Sequence, residues 1–479
     1  MTKTRVALVL SGGVSAGAYI AGALDEILRA FAASDTYEID VIVGASAGAT
    51  NAAAIAQGLL YRDGETMLHD MWVKEVDIVE LLAPDIKKGD PFSILSAGQI
   101  RKMGRDMIDW PADKPATRAA FCADDLTVAM TIANSTPLPY ASRVRQPSAN
   151  APETFVQDRH AEQESYRLGA GVGPRDPIWE RISMVAQASA ALPLIFPMVQ
   201  LTRQADGPGQ YILPPSFKGE RTFWYYDGGT YNNLPIDLAW HFVKQKAERE
   251  DADPLEHRKI LVVNPWRNDT TPPADDPAYP GALTQLLNVV RDMHTESRTI
   301  QFDREILEPS LAATSGDDLS FALPGVDRPP VELLDRFALV IPRVGDPPLR
   351  CVYFQALSAF LDRRFREHDY RRGAADARRA AKQVLGIADY AEQDEAYYQP
   401  DRDAGEQDIR QYASLRTVKS SRADARGRSV QEVFEEALAE RISAIVKTWD
   451  LPSGFFGVAE KVVTEVMTSK VLEKLPGMW

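Results

Sequence analysis

The chain has 479 residues, 45% of them hydrophobic, with 68 acidic and 54 basic side chains and a formal charge of −14. That is enough for one large α/β domain with additions, or for two or three average domains. The negative balance argues against binding a phosphate backbone, so no nucleic-acid partner is expected.

Val6-Ala7-Leu8-Val9-Leu10 is an all-apolar, branched run. It is too short for a secretory signal core and reads as a strand buried on both faces. Ser11-Gly12-Gly13 breaks it, and Ile20, Leu24, Ile27, Leu28 and Phe31 then recur at helical spacing. Ile39 to Val43 reads as a second strand, broken by Gly44 to Gly48, and an Ala-rich helix follows from about Ala47 to Leu59. This order predicts a βαβ unit and a parallel sheet. The apolar stretch Val41 to Leu60 contains Thr50, Asn51 and Gln57, which suits a strand, turn and helix better than a membrane span. Further strands are expected at Leu126 to Ile132 and Ile260 to Val263. Gln146 to Pro177, Asn268 to Pro280 and Gly316 to Pro330 have loop composition. Past Pro347 no strand pattern stands out. Leu357 to Leu385 and Val430 to Trp449 have helical spacing, and Ala459 to Leu475 reads as an amphipathic helix. The isolated Cys122 and Cys351 read as reduced structural thiols.

Three motifs carry chemistry. Gly44-Ala45-Ser46-Ala47-Gly48 is a G-x-S-x-G between a strand and a helix. Such a turn exposes a hydroxyl on a fixed backbone, and Gly44 and Gly48 remove the Cβ clashes it would cause. Ser46 is the candidate nucleophile. Gly12, Gly13 and Val14 follow the first strand, where backbone N–H groups converge on an anion. The segment fits an oxyanion hole or a plain tight turn, and it lacks the dinucleotide-binding spacing. Asp227, before Gly228 and Gly229, ends an aromatic run and is the candidate partner of Ser46, although D-G-G alone is a common turn. None of the six histidines (His69, His160, His241, His257, His294, His368) has a flanking pattern that marks a triad base. A Ser-Asp dyad is therefore expected.

Together these motifs resemble the patatin-like phospholipase family. The order of Ser11 to Leu24, Gly44 to Gly48 and Asp227 to Gly229 matches it, and Ala188 to Pro197 resembles its segment between nucleophile and aspartate. Phe360 to Gly373 is similar to a C-terminal segment of some bacterial patatin-related proteins. The resemblance implies an α/β fold with a mainly parallel central sheet flanked by helices and a mostly helical C-terminal extension. The expected organisation is a catalytic unit with insertions at 1–268, a connecting, lid-like segment at 269–345 and a helical region at 346–479.

The implied activity is hydrolysis of lipid acyl esters, of phospholipase A type or related, by Ser46 and Asp227 without metal or cofactor. The expected partners are a lipid or phospholipid substrate and a transient membrane surface. A homo-oligomer is left open, and the expected location is the cytoplasm or the membrane periphery. The chain departs from the family where a third glycine is replaced by Val14 and a basic residue by Ala16. These departures motivate one alternative, a lipid- or partner-binding protein without turnover; a second alternative is an acyltransferase or a triad esterase with an essential histidine. Arg363, Arg364, Arg366, Arg371 and Arg372 form a basic cluster that reads as a solvated helix face or a head-group site. Phe455, Phe456 and Trp479 are candidates for interfacial insertion.

Overall fold

A computed structural model describes residues 2–111, 114–144, 153–204, 217–266, 289, 292–300, 336–343, 349–352, 356–387, 415–422 and 426–449, with single positions between 461 and 469. The strands are β1 (Thr4–Leu10), β2 (Tyr37–Gly44), β3 (Cys122–Val144), β4 (Glu153–Leu168), β5 (Val199–Gln204), β6 (Glu220–Asp227), β7 (Arg258–Val263) and β8 (Phe337–Val340). They form one sheet in the order β5-β6-β3-β2-β1-β7-β8, with β4 paired to β3. The run from β3 through β2, β1 and β7 to β8 is parallel, and β4, β5 and β6 add antiparallel pairs.

The helices are α1 (Gly17–Ala32), α2 (Ala47–Tyr61), α3 (Ile78–Leu81), α4 (Gly98–Ile108), α5 (Ile178–Ser189), α6 (Ile236–Glu250), α7 (Arg363–Gln383) and α8 (Val430–Lys447). Strand periodicity divides the core. Val6, Leu8 and Leu10 join the cluster that packs α1, α2 and α7, while Ala7 and Val9 join the cluster under α6. β1 therefore buries both faces, which is why its sequence has no polar alternation.

The C-terminal extension packs onto the βαβ unit. α7 crosses α1 where Gly22 meets the Tyr370 backbone and Gly373 meets the Tyr19 backbone, and a Cβ at either glycine would overlap a carbonyl oxygen. The Tyr19 hydroxyl donates to Asp376 Oδ2 at 2.8 Å across the same contact. α8 begins with a capping box, Ser429 and Glu432 bonding each other's backbone amides.

One expected loop is a strand. Within Gln146 to Pro177, β4 pairs with β3 along most of its length. Its inward positions include Glu162 and Glu164, polar residues that hide the period-2 signal. Arg181 Nε donates to Glu164 Oε1 at 2.7 Å, Arg203 Nη2 donates to Glu162 Oε2 at 3.2 Å, and Arg203 also pairs with Glu164. Buried carboxylates are tolerable only with such partners, which come from distant elements.

Four of the five arginines in the basic cluster are used internally, while Arg363 is exposed. Arg366 is buried and donates to the carbonyls of Val73, Ala359 and Phe360. Arg364 pairs with Asp362, Arg371 with Glu367 and Arg372 with Asp376. Asn268 to Pro280, Gly316 to Pro330, Phe455, Phe456, Trp479 and nearly all of Ala459 to Leu475 lie outside the described residues. Among the described residues, no helix is long and apolar enough to cross a membrane.

Candidate active site

Strand register brings the two candidate residues together. β2 ends at Gly44, opposite Met130 of β3. Two residues further along β3, Ile132 pairs with Asp227, the last residue of β6. Because β6 runs antiparallel, its C-terminal residue reaches the edge where β2 gives way to α2. The Ser46 hydroxyl donates to Asp227 Oδ2 at 2.6 Å.

Ser46 sits in the turn between β2 and α2 at φ 53°, ψ −124°. Such a backbone costs on the order of 1–3 kcal/mol for a residue other than glycine, and it aims the side chain away from the sheet. The turn closes because Gly48 lies against Leu10 O and Gly44 against Gly48 O, where a Cβ would overlap in both cases. The segment from Ser189 to Ala191 ties both residues down. Ser46 N–H donates to Ser189 Oγ at 2.9 Å, and Asp227 N–H donates to Ala191 O at 3.0 Å.

Asp227 is fully buried. Burial pushes its carboxyl up to about 7, against the opposing hydrogen bonds from Ser46 and from Gly229 N–H, the latter 2.7 Å from Oδ1. The group therefore titrates near neutrality.

The loop after β1 is braced from three directions. Gly12 N–H donates to Asn233 O at 3.0 Å, and Trp266 Nε1 donates to Gly12 O at 2.8 Å. The Ser15 amide and hydroxyl both donate to Ala356 O, at 3.0 and 2.5 Å. A Cβ on Gly12 would stand 3.1 Å from Ser46 Cβ and would overlap Asn233 Oδ1. With Gly12 N–H committed, Gly13 and Val14 hold the loop's uncommitted N–H groups among the described residues. Val14 has φ 50°, a left-handed conformation rare for a β-branched residue.

An apolar pocket of about 40 Å³ lies at Ser46, with Val14, Trp72, Met103, Phe196 and Phe360 in its wall. It shares Ile100, Ala190 and Phe196 with an outer cavity of about 900 Å³. The six histidines are engaged elsewhere. His294 Nε2 lies 3.2 Å from Thr230 Oγ1, and burial lowers it to about 4. His160 Nδ1 bonds Asn134 O, His69 pairs with Glu367 and His368 contacts Asp369. His241 packs on Phe242, and His257 lies by Glu256.

Sequence reasoning missed four contributors. Ser189 lies inside the recognised Ala188 to Pro197 segment and Asn233 just after Asp227, so both had a positional signal. Phe360 opens the recognised Phe360 to Gly373 segment, but nothing there marked it as a pocket residue, and Trp266 had no signal, because only tertiary packing brings them to the pocket and the loop.

Residues 8–240 match the model of the patatin-like phospholipase family. The solved structure of VipD from Legionella pneumophila is similar with a TM-score of 0.29 at 12% identity, covering 98% of this chain and 87% of that one. No curated protein matches the sequence. Residues 8–240 carry a patatin-like phospholipase domain, and that family in general supports lipid acyl hydrolysis.

Proposed function

We propose that the protein hydrolyses acyl esters of phospholipids or related lipids with a Ser46-Asp227 dyad. The observation that carries this reading is the 2.6 Å contact from Ser46 Oγ to Asp227 Oδ2 beside an apolar pocket. Asp227 takes the Ser46 proton as Oγ attacks the ester carbonyl. The Gly12–Val14 loop faces the developing oxyanion, with the N–H groups of Gly13 and Val14 as its donors. Gly12 contributes by keeping the backbone close to Ser46. The proton then passes to the leaving alcohol, and Asp227 deprotonates the water that releases the fatty acid. The engagement of all six histidines elsewhere favours a dyad over a triad.

The pocket at Ser46, about 40 Å³, holds only a few water molecules, each needing roughly 10–15 Å³ of such space. A long acyl chain therefore enters only as walls such as Phe196 and Phe360 give way. Binding at a lipid surface, with the protein peripheral to the membrane, is part of the same proposal.

The test is hydrolysis of a short-chain nitrophenyl ester and labelling by a fluorophosphonate. Wild type should do both. Ser46→Ala should do neither while remaining folded by circular dichroism. A folded Ser46→Ala protein that labels fully would overturn the assignment.

A further inference from the structure

We propose that the outer cavity is a phosphate subsite for the head group of a glycerophospholipid, and that Arg101 and Arg105 bind its phosphodiester. This rests on the reading of Ser46 as the nucleophile.

Arg101 and Arg105 lie one turn apart on α4 and both line the cavity. Both are exposed, and among the described residues neither guanidinium has a hydrogen-bond or ion-pair partner. Their neighbour Lys102 differs, since it pairs with Glu75 and Asp106. Of the cavity's other charges, Asp85 and Arg441 neutralise each other. Asp85 is paired with the buried Arg441 at 2.9 Å and accepts from Ser96 Oγ at 2.5 Å. Asp90 accepts from Lys87 N–H at 2.7 Å. Glu180 sits in the first turn of α5, where the helix terminus favours a negative charge. Arg101, Arg105 and Lys87 remain without an ion-pair partner among the described residues, against Asp90 and Glu180, and the guanidinium pair is the side-chain type best suited to phosphate oxygens.

The position of the pair narrows the ligand. Ile100 lines both the cavity and the Ser46 pocket, and Met103, from the same helix, lines the pocket alone. α4 therefore presents apolar side chains toward the nucleophile and cations toward the outer space. A ligand that fills both chambers joins an acyl ester to a nearby anion. A glycerophospholipid has that layout, with the phosphodiester on the same glycerol as the ester. Uncharged glycerides offer the arginines only neutral oxygen acceptors, which bind a guanidinium less strongly than a phosphate does.

The test compares wild type with the double variant Arg101→Ala/Arg105→Ala. It reads the ratio of kcat/KM for a short-chain phosphatidylglycerol to kcat/KM for the matching diacylglycerol. The ratio should fall about tenfold or more, as expected when charge-assisted bonds to a phosphate are removed. A ratio equal to that of wild type would overturn the proposal, whether or not both rates fall together.

Calorimetry on Ser46→Ala separates this from a failure of the nucleophile reading. The inactive protein should bind the same phosphatidylglycerol more tightly than the diacylglycerol, and the added arginine changes should abolish the difference. If glycerol 3-phosphate binds as tightly as the lipid, the cavity serves free phosphate esters and the head-group assignment fails. If Ser46→Ala still hydrolyses the lipid while the arginine effect persists, the nucleophile reading fails and the phosphate subsite stands.

Discussion

The Ser189 hydroxyl accepts the amide proton of Ser46 at 2.9 Å, so the strained turn that carries the proposed nucleophile hangs from the end of α5. Two residues on, Ala191 O holds the amide of Asp227. One short segment thus sets the spacing of the proposed dyad. Ser189→Ala leaves a buried N–H without an acceptor, which costs about 1–3 kcal/mol. The urea midpoint should fall accordingly. kcat should fall more than KM rises, because the loss falls on the aim of Oγ.

Asp227 acts as a base only when ionised, and burial holds its carboxyl at about 7. kcat/KM should therefore rise with pH to a plateau, with a midpoint near 7. The stability effect has the opposite sign. The folded value lies above the ordinary 3.8, so the folded state binds the extra proton and stability is lost as pH rises from about 4 through about 7. Asp227→Asn should be inactive, and its gain in urea midpoint over wild type should be larger at pH 8 than at pH 5. A pH-independent difference would rule out this titration.

Val14 holds a left-handed conformation that costs a β-branched residue about 1–2 kcal/mol. Val14→Gly removes that strain and adds about 0.5–1 kcal/mol of chain entropy to the unfolded state. The net expectation is a gain of up to about 1 kcal/mol in chemical denaturation, with ester hydrolysis retained because the N–H group stays in place.

Phe360 is the contribution of the C-terminal region to the pocket wall. Phe360→Ala should raise the ratio of long-chain to short-chain ester kcat/KM, since the cramped space at Ser46 is enlarged. It should also cost about 3–5 kcal/mol of stability. An unchanged chain-length profile would remove Phe360 from the acyl path.

The crossing of α1 and α7 tolerates no side chain at Gly373. Gly373→Ala forces the helices apart and should lower stability by about 3 kcal/mol or more, read as a drop in the melting temperature. A neutral outcome would mean that the two backbones do not touch.

The parallel half of the sheet was legible because β1 and β2 are buried on both faces and their apolar runs end in glycine turns. Ser46 was legible for the same reason, since its pentapeptide lies between a strand and a helix. β4 was hidden because its inward positions carry Glu162 and Glu164, whose arginine partners lie on α5 and β5. The basic cluster on α7 looked like a surface, yet Arg366 is buried, because the carbonyls it satisfies lie partly in a distant turn. The braces at Asn233, Trp266 and Ala356 are backbone or single side-chain contacts, which leave no periodic trace.

The bracing of Ser15 by Ala356, with Phe360 beside it, also bears on how the protein is made. Ser46 and Asp227 both lie within the first 240 residues, the span of the family match. Ala356 and Phe360 leave the ribosome only much later. A nascent chain therefore carries Ser46 for a long stretch of synthesis with the loop beside it lacking one of its three braces and the pocket lacking one wall residue. Synthesis order thus leaves this loop and pocket wall unfinished until Phe360 has been made.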